Sequence, residues 1–148
     1  MVKFKQYQPI VYEIIGAAME VHKTLGHGLL EAVYSEALHL ELCDRNIDNE
    51  IEKEVFCYYK NHRMEKSYRL DMVAGDVCVE LKSVGELHPT HRAQLFNYLR
   101  LTRMPVGLLI NFGSRRLEGE RYAFVEEENE CYLMNKDMEL LEPEYEEI

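Results

Sequence analysis

Apolar residues recur at helical spacing through the first part of the chain. Ile10, Ile14, Ala17, Ala18, Val21 and Leu25 share one side of a helix predicted over residues 10–24, with Pro9 just ahead of it. Tyr12 and Met19 read as packing residues and His22 as a structural histidine. Two glycines within three residues, Gly26 and Gly28, then permit a sharp reversal. A second helix is predicted over residues 29–44, with Glu31, Tyr34, Leu38 and Leu42 along one side.

After the polar connection 45–49 the period drops to two. Residues 50–59 read as a strand, Asn61-His62 as a turn, 64–74 as a second strand and 77–82 as a third. Gly75-Asp76 is a Gly-X pair suited to a two-residue hairpin turn. That turn would pair Ala74 with Val77, Val73 with Cys78, Met72 with Val79 and Asp71 with Glu80. Alternation then puts Leu70, Met72, Ala74, Val77, Val79 and Leu81 on one apolar face, and Asp71, Glu80 and Lys82 on the other. A loop over 83–88 leads to a third helix, from Pro89 to about Thr102. Leu95, Leu99 and Thr102 take one of its sides, and His91, Gln94, Tyr98 and Leu101 another.

Beyond Pro105, residues 106–112 form a continuously apolar run of the kind buried on both faces. Strand, helix and strand in succession imply a parallel pair joined by a crossover. Residues 113–121 read as a polar loop, 122–125 and 131–134 as short strands around a charged turn, and the chain from about 141 as an acidic tail. The predicted fold class is α/β of the mixed α+β kind, in the order α-α-β-β-β-α-β. Its sheet is mostly antiparallel, with one parallel strand after the crossover helix, in a single domain over residues 1–148.

Composition adds three constraints. A 47% hydrophobic fraction suits a chain with a real core, yet no apolar run approaches the roughly 20 residues that cross a bilayer. Four widely spaced cysteines without a CxxC pair read as reduced, mostly buried thiols, and the N-terminus has no signal-peptide pattern, so a cytoplasmic location is expected. The net charge of −10 argues against a nucleic-acid partner until its distribution is considered. Residues 122–148 carry ten Asp/Glu against one Lys, whereas residues 82–121 carry seven Lys/Arg against three Glu. The stretch after the hairpin is basic, which leaves a polyanionic partner open.

Two carboxylates facing each other across a strand pair repel. A divalent cation between Asp71 and Glu80 would turn that repulsion into coordination, and hard oxygen ligands suit Mg²⁺ or Mn²⁺. Lys82, two residues beyond Glu80 and roughly 6.5 Å along the strand, would meet a water or phosphate oxygen there. The hairpin by itself fits a solvated strand pair with charges on its wet face equally well. Glu31 likewise fits either an ordinary acid in a first helical turn, favoured by the dipole, or a carboxylate aimed at the hairpin.

In combination these elements resemble the restriction-endonuclease-like PD-(D/E)XK superfamily and, within it, the small bacterial GxxExxY family. Gly28-Leu-Leu-Glu31-Ala-Val-Tyr34 carries the name motif. Arg69-Leu-Asp71, Val79-Glu80-Leu-Lys82, Gln94-Leu-Phe-Asn-Tyr98-Leu and Gly107-Leu-Leu-Ile-Asn-Phe-Gly113 extend the likeness over roughly residues 8–125. The resemblance implies that Asp71 and Glu80 bind metal and that Glu31 completes the metal site. It makes Lys82 the catalytic lysine, and Gln94 and Tyr98 the QxxxY element beside the substrate strand. Leu70 stands where the superfamily usually has Pro, which supplies no metal ligand. The implied activity is Mg²⁺- or Mn²⁺-dependent hydrolysis of phosphodiester bonds, with DNA placed ahead of RNA, and Arg92, Arg100, Arg115 and Arg116 as phosphate contacts. The alternative is a catalytically silent nucleic-acid-binding or protein-interaction module that keeps the fold. A homodimer or a protein partner fits either reading, and a membrane fits neither.

Overall fold

Six strands join in a single sheet in chain order, and one neighbouring pair among them is parallel. The computed structural model describes residues 3–141, so all but the first residue of the expected acidic tail lies outside the described residues. A short 3₁₀ turn (Lys5–Tyr7) leads into α1 (Gln8–Leu25) and α2 (Glu31–Asp44). Then come β1 (Glu50–Tyr59), β2 (His62–Ala74), β3 (Val77–Lys82), α3 (Pro89–Thr102), β4 (Val106–Asn111), β5 (Glu118–Val125) and β6 (Glu130–Met134). No described helix is long and apolar enough to cross a membrane.

The two faces of the sheet carry two separate cores. Ile14, Ala17 and Val21 of α1 and Tyr34, Leu38 and Leu42 of α2 pack on Met72, Val79, Leu81, Leu108 and Ile110. On the opposite face Leu95 and Leu99 of α3 pack on Leu70, Cys78, Leu109 and Tyr122. Each fully buried aliphatic side chain contributes about 1.5–3 kcal/mol relative to exposure, so helices on both faces are held by the same strands. β3 and β4 lie innermost, and every residue of β4 is buried. They pair in parallel from Val77↔Val106 to Lys82↔Asn111, as the intervening helix requires.

The Gly75-Asp76 turn forms as read, with Gly75 at φ 58° and the register Ala74↔Val77, Val73↔Cys78 and Met72↔Val79. Other expectations need correction. α2 starts at Glu31, because Leu30 is extended, and Leu29 and Leu30 are exposed. The first hairpin turns at Lys60-Asn61, one residue earlier than read, with Lys60 at φ 54°. β5 begins at Glu118 and takes up part of the expected loop, since Glu118 pairs with Asn111 and Glu120 with Leu109 along β4. Tyr12 and Met19 are 75% and 59% exposed and do not belong to the core. Of the four thiols, Cys57 and Cys78 are buried, while Cys43 is exposed. His22 is structural, with Nε2 3.0 Å from the Ser114 carbonyl.

The end of β3 is anchored from β4. The buried Asn111 side chain accepts from the N–H of Val84 at 3.0 Å and of Gly113 at 2.9 Å, and donates to the Val84 carbonyl at 3.0 Å. A Cβ on Gly113 would lie 2.2 Å from the Val84 backbone nitrogen and oxygen. Gly113→Ala must therefore force two backbone segments apart, and we expect a loss on the order of 2–3 kcal/mol in urea unfolding. An unchanged unfolding midpoint would remove this close approach from the account of the site.

Candidate active site

At the C-terminal end of β3 the strand pair opens. The β2–β3 ladder extends only to Met72↔Val79, and the predicted pairing of Asp71 with Glu80 does not form. Instead the Asp71 carboxylate turns onto the neighbouring strand, where Oδ2 accepts from the Leu81 N–H at 2.9 Å. The first strand is irregular at the same level: Ile51 pairs with Met72 and Lys53 with Leu70, while Glu52 between them has φ 50°. Alternation breaks across this point. Leu70 packs in the α3-side core although Met72 packs in the opposite one, so Leu70 does not share the apolar face predicted for it.

Glu80 and Lys82 do share one face, but that face is not wet. Cys78, two residues before Glu80, belongs to the core beneath α3, and Glu80 itself is 2% exposed. Its Oε1 has no hydrogen-bond partner among the described residues. Its Oε2 lies 3.9 Å from Lys82 Nζ. Burial, reinforced by the charge of Asp71 and opposed by that of Lys82, pushes the Glu80 carboxyl up to about 8. The reading as a solvated hairpin fails here, because α3 covers the charges.

Gln94 and Tyr98, one turn apart on α3, form a relay beneath the lysine. Lys82 Nζ donates to Gln94 Oε1 at 3.2 Å, and Gln94 Nε2 donates to Tyr98 Oη at 3.0 Å. Burial, followed by the nearby Glu80 carboxylate, raises the Tyr98 phenol above its ordinary range and keeps it protonated. His91 stands in the same neighbourhood, held below its usual range by burial and then by the charge of Lys82. Its Nδ1 accepts from the His88 N–H at 3.0 Å, which ties it to the start of α3.

Glu31 reaches the site from the other layer. With Ala32, Ser35, Glu52, Asp71 and Leu81 it lines a cavity of about 210 Å³. Tyr34, one turn on, locks the loop before it: its hydroxyl donates to the Gly26 carbonyl at 2.6 Å and accepts from the Leu29 N–H at 3.0 Å. Its ring stacks on Phe112 at 4.5 Å. The spacing Gly28, Glu31, Tyr34 thus places an acid on the first turn of a helix whose entry is fixed by the tyrosine.

A cation fits this donor set on one ground in particular. A buried carboxylate oxygen without a donor is costly, and a hard cation beside Asp71 would satisfy it. Among the described residues, however, no three or more His, Cys, Asp and Glu side chains gather closely enough to hold a metal ion. Asp71 and Glu80 are brought together, and Glu31 borders Asp71 across the cavity.

Sequence reasoning missed Glu52 and Asn111, and it gave no sign of the partner of Arg92. A polar residue closing the apolar run 106–111 was the available signal for Asn111. Arg92, read as a phosphate contact, makes a two-pronged pair with Glu120 at 2.8 and 2.9 Å.

A family profile described as the PD-(D/E)XK nuclease superfamily matches residues 8–122 of this chain. Comparison with curated proteins returned no match. A solved structure titled "Crystal structure of SSO0001" is similar at 18% identity and a TM-score of 0.47. The likeness covers 84% of this chain and 64% of that one, so this chain spans less than two-thirds of its length.

The raised Glu80 carboxyl has a consequence for stability. Folded Glu80 keeps its proton up to about pH 8, while the unfolded chain releases it near the ordinary glutamate value of 4.5. The stabilising contribution is therefore complete below 4.5 and is lost as pH rises through 8, at no more than about 1.4 kcal/mol per pH unit. In EDTA, Glu80→Gln should melt at least as high as the parent at pH 8.5, and the advantage should shrink toward pH 5. Parallel melting curves for the two proteins across that range would refute the buried-acid assignment.

Proposed function

Because the chain belongs to the PD-(D/E)XK nuclease superfamily, we propose that it hydrolyses phosphodiester bonds of nucleic acid with the help of a divalent cation. The observation that carries this reading is the Glu80 carboxylate, buried beside Asp71 with one oxygen unpartnered and with Lys82 alongside. Asp71 and Glu80 would hold Mg²⁺ or Mn²⁺, with Glu31 across the cavity. Bound there, the ion supplies an acidified water and neutralises charge on the phosphate.

The protein's own groups do the rest. Lys82 is a compact cation on a partly desolvated strand end, where it stabilises negative charge that develops on the scissile phosphate. Gln94 and Tyr98 act as positioning residues, since Gln94 takes up one of the three lysine donors and is itself held by Tyr98. Burial under α3 lowers the local dielectric and strengthens every one of these interactions. DNA stands ahead of RNA as the proposed substrate, and the Gly28–Glu31–Tyr34 spacing supports the GxxExxY branch.

A second reading, a module that binds nucleic acid without cutting it, draws on the lack of a three-acid group among the described residues. One experiment separates the two. Single-stranded, duplex and branched DNA and RNA are incubated with the protein in Mg²⁺ or Mn²⁺, beside Lys82→Ala protein purified identically. The nuclease reading expects cleavage by the parent and a loss of about 100-fold or more in the variant. It also expects millimolar Mn²⁺ to raise the parent's Tm and to leave that of Asp71→Asn unmoved. Binding without cleavage, together with a metal-dependent Tm, supports the silent module.

A further inference from the structure

The first hairpin is longer than the sheet needs. β3 pairs with only Met72, Val73 and Ala74 of β2, yet β1 and β2 stay paired out to Tyr59↔His62. From Leu70 and its partner Lys53 to that turn the two strands run roughly 20 Å beyond the third. A two-stranded ribbon is marginal in water, and this one is mostly exposed, apart from the buried Cys57 and the half-buried Lys53, Val55 and Met64. Core packing does not account for it.

Its composition differs from that of the rest of the chain. Residues 53–69 hold five Lys/Arg against two Glu, in a protein of net charge −10. None of Lys60, Arg63, Lys66 and Arg69 is paired with a carboxylate among the described residues. Interleaved with them are four aromatic rings: Tyr58 (65% exposed), Tyr59 (62%), Phe56 and Tyr68 (37% each). The Arg63 guanidinium lies 3.7 Å from the centre of the Phe56 ring and Lys60 Nζ 5.5 Å from that of Tyr59, so cations and rings of the ribbon lie side by side.

The root of the ribbon touches the site. The Tyr68 ring meets the Tyr98 ring edge-on at 5.9 Å, and Tyr98 is joined through Gln94 to Lys82. Tyr68 stands opposite Val55 at the root of the ribbon, and beyond Phe56 the pairing shifts before Tyr58 meets Arg63 and Tyr59 meets His62. Tyr68 is the ring of the ribbon that meets the relay beneath the lysine.

We propose that the β1–β2 ribbon, residues 53–69, is an arm that binds single-stranded nucleic acid and leads it to the end of β3. The proposal rests on the nuclease reading for what happens at that end. Cations spaced along the arm pair with phosphates, and exposed rings stack on bases. The rings select the single strand, because a duplex keeps its base faces stacked inside. A protein partner has no need of this alternation of unpaired cations and rings, and charge complementarity favours the polyanion.

The test measures anisotropy of fluorescein-labelled oligothymidylate, oligouridylate and a duplex with the full chain in EDTA, and cleavage separately in Mn²⁺. Two double variants are compared with the parent, Tyr58→Ala with Tyr59→Ala, and Lys60→Glu with Arg63→Glu. All four side chains are exposed, so both variants should melt like the parent. The proposal expects tighter binding of single strands than of duplex. It expects a loss of about tenfold or more in single-strand affinity for the aromatic pair, and a shallower salt dependence for the charge pair. Parental affinity in both variants, or a parent that prefers duplex, overturns it. So does a variant whose only change by light scattering is loss of a parental dimer. If the parent binds single strands through the arm but cuts nothing, the nuclease reading fails and the arm stands. If the variants cut and bind as well as the parent, the arm fails and the nuclease reading stands.

Discussion

A carboxylate buried on an inner strand sets the conditions for everything around it. Glu80 lies on β3, where neighbouring side chains alternate between two apolar cores, so an acid on either face loses its water. Placing it beside a second acid adds repulsion to desolvation. Among the described residues the interior answers with Lys82 and leaves one oxygen without a donor. Folding gains nothing from such an arrangement, since an apolar residue there would pack at lower cost. It is the arrangement that the proposed cation and phosphate would require.

The architecture allows that place to stay open on one side only. β2 leaves β3 at Asp71, and the ladder gives way to a side-chain hydrogen bond onto Leu81. This opening admits Glu31 from the layer of α1 and α2, while α3 closes the opposite face with Gln94 and Tyr98. Asn111 and Gly113 hold the chain just past Lys82 against β4, so the lysine does not drift from the glutamate. Three layers thus meet at the carboxyl end of the one strand in a parallel pair that precedes the crossover. Open α/β sheets bind their ligands in the same place.

What the chain's own pattern determined is local. Helical spacing marked Ile14 to Val21 and Leu95 to Leu99 as buried stripes, the Gly75-Asp76 pair set the register of β2 on β3, and an unbroken apolar run announced β4. Each of these follows from residues within a few positions of one another: a turn fixes pairing, and a period fixes a face. The acids and the lysine were also legible as a group, because they sit on two strands joined by that turn. What only the tertiary structure decided depends on distant partners. Alternation predicted Leu70 beside Met72 and Asp71 opposite Glu80, but the strand pair is irregular at Glu52 and neither holds. Glu120 of β5 meets Arg92 across 28 positions, a partner that no local pattern announces. Burial of Glu80, which turns a pair of ordinary charges into a site, needed α3 to fold back across β3. No spacing in the sequence encodes that cover, because desolvation is a property of everything that surrounds a group and not of the strand that carries it.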